Sequence, residues 1–326
     1  MLAANRRWLF TLRLLIFAPM SDPASPTPSP SKVQVFLRRS VSTLLLWTVV
    51  IAAMFSSNRI VSDGVFVLLI ATLSVAGLAE FYGMVEKRGL TCFKYSGIIG
   101  GVLLMVGTFL NVTGHIGTAN GSPARVNDFE TGFLILFVLG LCVRQFLSKT
   151  NAAGLVAIST TLFGLMYVPW LLNFIQKINF FPSLGGDGKY YVLYFLLVTK
   201  FSDMGAYLVG SLIGKHKMIP RISPGKTWEG FAGAIVVSGG ASVAYAHIFQ
   251  AHLYGMTTVH AIILGGILSS AAVIGDLIES LFKREAGVKD SGSFFPGIGG
   301  ILDLVDSVLF NAPIMYLYLR HVLTHP

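Results

Sequence analysis

Residues 280–306 read S-L-F-K-R-E-A-G-V-K-D-S-G-S-F-F-P-G-I-G-G-I-L-D-L-V-D, a polar break between the end of one long apolar segment and the start of the next. Three aspartates (Asp290, Asp303, Asp306), three cations (Lys283, Arg284, Lys289) and five glycines crowd into it. Only 12% of the chain is charged, so such a cluster at the edge of two apolar runs calls for a function. Carboxylates bind hard divalent cations, cations bind phosphate oxygens, and glycines let backbone N–H groups approach both. The stretch reads as a site for a metal-bound polyphosphate at a lipid surface.

The flanking apolar runs belong to a 326-residue chain that is 54% hydrophobic, with a mean hydropathy of +0.71. That composition excludes an ordinary soluble domain. A membrane span needs roughly 20 mostly apolar residues. Nine segments qualify, near 41–55, 61–83, 96–113, 131–147, 154–173, 190–213, 229–249, 259–281 and 301–320. The expected fold class is all-α, a polytopic integral membrane protein with about nine transmembrane helices. Residues 41–326 form the membrane-embedded domain, with its catalytic part at about 200–310. Residues 1–40 differ from the rest: Trp8–Met20 is a short basic-apolar stretch and Ser21–Ser31 is rich in Pro and Ser. An interfacial helix followed by a disordered linker is expected there.

Lysine and arginine set the orientation. With the N-terminus inside, inner segments carry 18 of them and outer segments five, and Lys200 falls within a span. The asymmetry favours an inside N-terminus and an outside C-terminus. It also puts the 214–228 and 282–300 loops on one face, the cytoplasmic one. A net charge of +9 does not indicate nucleic acid, because the cations are spread over inner loops facing anionic headgroups. Cys92 and Cys142 lack metal-ligand spacing and are not expected to form a disulfide in a reducing compartment.

Charged residues also sit where lipid should be. Lys200 and Asp203 share one helix face, which Tyr207, Gly210 and Gly214 continue. A charge at the bilayer centre costs roughly 2.5–3.5 kcal/mol on insertion scales, so the pair must face protein or a water-filled cavity. Asp276, Glu279, Ser280 and Lys283 follow helical spacing on a single stripe at the end of span eight. Asp303 and Asp306 stand one turn apart at the start of span nine. Capping of the helix dipole is the plain reading of that pair, and metal ligation is the reading favoured by its neighbours. In the 210–230 loop, Gly225-Lys226-Thr227 superficially resembles a P-loop, but Pro220 stands where that motif needs glycine. The expectation is a turn at Ser223-Pro224-Gly225, a helix capped by Thr227, and Lys217, Arg221 and Lys226 presented to phosphate.

Two blocks together resemble the CTP:phosphatidate cytidylyltransferases, the integral membrane CDP-diacylglycerol synthases. The first comprises Ser202-Asp203, Ala206-Tyr207, Gly210, Gly214-Lys215, Ile222-Ser223-Pro224 and Lys226 through Gly230. The second comprises Gly275-Asp276-Leu277, Glu279-Ser280, Lys283-Arg284, Lys289 through Gly292, Pro296-Gly297, Gly299-Gly300, Asp303 and Asp306. Ile298 stands where the family commonly has His, and Leu304 where it commonly has Arg.

The resemblance implies that phosphatidic acid attacks the α-phosphorus of CTP, giving CDP-diacylglycerol and pyrophosphate in phospholipid biosynthesis. It implies Mg²⁺, with a monovalent cation such as K⁺ as an optional second ion, held by Asp276, Asp290, Asp303 and Asp306. It assigns Asp276, Lys283, Arg284, Lys289 and Asp290 to catalysis. Substrate contacts fall to Lys200, Asp203, Tyr207, Ser223, Lys226, Thr227, Ser280, Ser291, Gly299 and Gly300. The implied partners are CTP, phosphatidic acid and membrane lipids, with a homodimer as the assembly to consider; the location is a bacterial inner membrane with the site on the cytoplasmic side.

One alternative is CTP-dependent transfer to another lipid phosphate or a polyprenol. The other is a transporter, which should carry key charges at the midplane of both halves. Here the charged spans and loops read as confined to residues 200–306, and no internal repeat is visible.

Overall fold

The computed structural model describes residues 58–116, 123–148, 153–184, 187–292 and 299–324, with residues 48, 49, 51, 52, 55 and 56. The N-terminal segment 1–40 and ten of the fifteen residues of the expected first span lie outside the described residues. Helix α1 runs Arg59–Lys87, α2 Lys94–Val112, α3 Pro123–Phe146 and α4 Gly154–Leu165. A π-helical turn over Met166–Trp170 joins α4 to α5, Leu171–Asn179. Then come α6 (Gly188–Ile213), strands β1 (Lys217–Ile219) and β2 (Ser223–Thr227), α7 (Trp228–Ile248), α8 (Thr258–Glu285) and α9 (Ile301–Tyr318).

Eight helices among the described residues are long and apolar enough to cross a membrane, with α4, the π turn and α5 counting as one. They match the last eight expected spans. An all-α polytopic membrane protein is what the chain forms, the β1–β2 hairpin being the only sheet among the described residues. The turn of that hairpin falls at Pro220–Ile222, where Ile222 N–H donates to the Ile219 carbonyl at 3.1 Å. Ser223-Pro224-Gly225 therefore lies on β2 rather than in the expected turn. Thr227 does cap α7, its Oγ1 accepting from Gly230 N at 3.1 Å.

Small residues bring α6 and α7 together. A side chain at Gly205 would meet the Gly233 carbonyl at 2.6 Å, and one at Gly210 would meet Thr227 Oγ1 at 3.1 Å, so α6 and α7 lie almost backbone to backbone. Hydroxyls then bridge neighbouring helices: Ser202 to Ser269 at 3.0 Å, Ser242 to the Ala261 carbonyl at 2.6 Å, and Ser307 to the Ala272 carbonyl at 3.2 Å. Each such bond contributes on the order of 0.6 kcal/mol in a membrane. Together they fix α6, α7, α8 and α9 as one unit.

The expected fourth span begins at residue 131, whereas α3 begins at Pro123. Charge pairing explains the extra turns. Glu130 is buried, forms an ion pair with Lys177 of α5, and accepts from Asn173 Nδ2 at 2.8 Å and Trp170 Nε1 at 3.1 Å. Lys177 is thus an interior helical residue, not the outer-loop cation that the charge count assumed. Charged residues in the spans are also not confined to 200–306. Breaking a buried pair leaves an uncompensated charge worth about 3–5 kcal/mol. Lys177→Met is therefore expected to lower the unfolding temperature in detergent markedly, and the double change with Glu130→Gln to recover most of the loss.

Candidate active site

Alternating helix directions place the C-terminal ends of α6 and α8 and the N-terminal ends of α7 and α9 at one end of the bundle. There a cavity of about 550 Å³ opens between them. Its walls include Lys200, Asp203 and Tyr207 of α6, and Ser223, Gly225, Lys226 and Thr227 of β2. Asp276 and Lys283 of α8 and Asp303 and Asp306 of α9 complete it. Residues separated by about a hundred positions in sequence meet there.

The three cavity lysines are each anchored. Lys200 Nζ lies 3.6 Å from Asp203 and donates to the Leu304 carbonyl at 3.3 Å. Leu304 itself packs against the apolar core, so at this position the chain supplies a backbone acceptor and no cation. Lys226 Nζ lies 2.6 Å from Asp276 Oδ2. Lys283 pairs with Glu279, four residues earlier on α8, and donates to Asp303 Oδ1 at 2.7 Å.

The two aspartates of α9 have different tasks. Asp303 Oδ2 accepts from Gly300 N at 2.7 Å, Ser291 N at 3.1 Å and Ser291 Oγ at 3.0 Å. It caps its helix, ties down Ser291 and holds Lys283, so its oxygens are already in use. Asp306, one turn on, is 8% exposed and pairs with no lysine. One oxygen each from Asp276, Glu279 and Asp306 lies within 4.8 Å of the others, the one such acidic group among the described residues. An all-carboxylate donor set suits a hard divalent cation. Counting Glu279, five carboxylates face three lysines, a formal excess of two negative charges in a low-dielectric setting. The all-carboxylate donor set could hold Mg²⁺: of the expected ligands, Asp276 and Asp306 belong to it with Glu279 as a third carboxylate, while Asp303 faces Lys283 and Ser291 and Asp290 is exposed.

Other expected positions lie elsewhere. Lys289 and Asp290 are exposed and do not line the cavity. Arg284 is also exposed, and its Nε donates to the Ile222 carbonyl at 3.3 Å, tying α8 to the hairpin. Ser280 Oγ donates to Asp276 at 3.4 Å. Gly299 has φ +112°, a conformation side chains rarely adopt. At Gly300 a Cβ would run into Ser291 Oγ and the Glu80 carboxylate. Position 298 lies outside the described residues.

Glu80 is the residue that sequence reading missed. Its carboxylate reaches from α1 to the start of α9, accepting from Ile301 N at 3.0 Å, Leu302 N at 2.9 Å and Ser291 Oγ at 3.0 Å. The signal available was a lone acid inside the apolar run V-A-G-L-A-E-F-Y-G-M, and an intramembrane acid is a site by default.

Residues 38–322 match the model of the cytidylyltransferase family. The chain belongs to that family. The match covers the whole described bundle, so α1 to α5, which lie outside the motif blocks, are part of the family's domain as well. Among its relatives, the phosphatidate cytidylyltransferase of Bacillus subtilis (strain 168) is 32% identical over 282 residues, 84% of this chain and 96% of the relative. That of Staphylococcus haemolyticus (strain JCSC1435) is 36% identical over 205 residues, 59% of this chain and 78% of the relative. That of Staphylococcus aureus (strain COL) is 42% identical over 145 residues, 43% of this chain and 53% of the relative.

Proposed function

We propose that the protein transfers the CMP unit of CTP to phosphatidic acid, releasing pyrophosphate and forming CDP-diacylglycerol. The observation that carries this reading is the convergence of Lys200, Lys226, Lys283, Asp276 and Asp306 in one cavity of a family cytidylyltransferase, with the Glu279 carboxylate buried beside the two aspartates. At about 550 Å³ the cavity falls within the usual range for small-molecule sites.

In the reaction, a phosphate oxygen of the lipid forms a bond to the α-phosphorus of CTP, and the bond from that phosphorus to the bridging oxygen breaks. The bonding pair leaves with pyrophosphate. A phosphate monoester is nucleophilic without a base, which suits a cavity whose described walls carry lysines and aspartates and, among the described residues, no histidine. Catalysis then rests on positioning and charge. Lys226 of β2 and Lys283 of α8 would neutralise phosphate oxygens, with Lys200 held beside the Leu304 carbonyl. Asp276, Glu279 and Asp306 would hold Mg²⁺, which when bound supplies further neutralisation of the triphosphate.

The cytoplasmic side of a cell membrane is the location this reading requires, since CTP is a cytosolic nucleotide. The lysine and arginine asymmetry, 18 inner to four outer once the buried Lys177 is set aside, supports it. Cysteines introduced at Lys217 and Asp187 are expected to react with an impermeant reagent from opposite sides, position 217 from the cytoplasm. Labelling of position 217 from outside would reject the orientation.

Acceptor choice is tested with purified protein, CTP, Mg²⁺ and a panel of lipid phosphates. Phosphatidic acid is expected to outpace polyprenyl phosphate at least tenfold in kcat/KM. The reverse order would replace the lipid in this proposal and keep the transfer.

A further inference from the structure

We propose that Glu80 is a positioning residue for the transfer: from α1, outside the cavity, it fixes the start of α9 and so sets where Asp303 and Lys283 stand. The proposal rests on the functional reading above. Glu80 does not line the cavity. Its two oxygens receive three donors: Ile301 N and Leu302 N at the start of α9, and Ser291 Oγ, which also contacts Asp303.

The linkage continues without a gap. Ser291 Oγ sits 3.0 Å from both Glu80 Oε2 and Asp303 Oδ2, so its single proton is shared between the two carboxylates. Asp303 in turn holds Lys283 Nζ at 2.7 Å, and Lys283 faces the cavity. The first amides of α9 are thereby divided between a local acid for Gly300 and a distant one for Ile301 and Leu302. An acid within an apolar helix is costly, and here charge-assisted bonds and the positive end of α9 offset that cost. A side chain at Gly292 or Gly300 would collide with this carboxylate, so both glycines serve its approach.

A cap that only stabilised the fold would affect unfolding and leave the turnover of folded molecules intact. A positioning residue acts on turnover through Asp303 and Lys283. Displacements near 1 Å in a site reduce rates by about 10²-fold. Glu80→Gln keeps the shape, removes the charge and turns an amide NH₂ towards donors. We expect folded Glu80→Gln protein to lose about 10²-fold in kcat, with the KM for the lipid nearly unchanged. Amide exchange at Ile301 and Leu302 should quicken while α6 and α7 stay protected, and Glu80→Asp should recover part of both effects.

Combined with Asp303→Asn, the two losses should fall well short of multiplying, because both act on one linkage. Normal turnover in folded Glu80→Gln, or fully multiplicative losses, would overturn the proposal. Should Glu80→Gln fail to fold, Ser291→Ala breaks the same linkage and leaves Glu80 in place. Slower turnover with faster exchange at 301–302 then supports the proposal, and unchanged turnover overturns it. Amide exchange is read without substrate, so wild-type protein inert towards CTP would refute the functional reading separately.

Discussion

Asp306→Asn is expected to reduce cytidylyl transfer by about 10²–10³-fold, the usual loss when one preorganised electrostatic contact with a reacting group is removed. Asparagine keeps the shape and an oxygen but removes the charge. Asp306 has no lysine partner, and its carboxylate lies with those of Asp276 and Glu279, so its charge is the one left for a cation. The loss should shrink as Mg²⁺ is raised, while the amount of inserted protein and its unfolding temperature hardly change. Asp303→Asn should behave differently. Its defect should persist at high Mg²⁺, because the Asp303 oxygens already serve Lys283, Ser291 and Gly300. Equal Mg²⁺ rescue of both variants would show that the two aspartates share one task.

The second large effect belongs to Lys283→Met, which should abolish measurable transfer and also destabilise the protein. Glu279 is fully buried and Asp303 nearly so, and Lys283 is the cation paired with both. Removing it leaves two carboxylates uncompensated, a loss of about 3–5 kcal/mol for a broken buried pair. Adding Glu279→Gln should restore much of the unfolding temperature and none of the turnover. Recovered turnover in the double variant would assign Lys283 to the fold alone.

The span pattern was legible because hydropathy is a local property, and the eight described spans overlap the last eight apolar runs. It failed at α3 and α5, where Glu130 and Lys177 looked like loop residues. Their burial follows from each other and not from their neighbours in sequence. In the site, helical spacing correctly placed Asp276, Glu279 and Lys283 on one stripe and paired Lys200 with Asp203. Spacing could not divide the labour between Asp303 and Asp306, which share a helix face but meet different partners. Nor could it find Glu80, whose contacts lie more than two hundred residues away. The hairpin was misread because Pro224-Gly225 has turn chemistry, whereas the chain turns earlier, at Pro220.

The central claim is that this cavity moves the α-phosphorus of CTP to a lipid phosphate. Purified protein in detergent with Mg²⁺ and phosphatidic acid can be given CTP labelled at either the α- or the γ-phosphorus. The account predicts α-label in the lipid and γ-label wholly in pyrophosphate, in equal molar amounts. Lipid carrying γ-label, or CTP consumed with no labelled lipid formed, would contradict it.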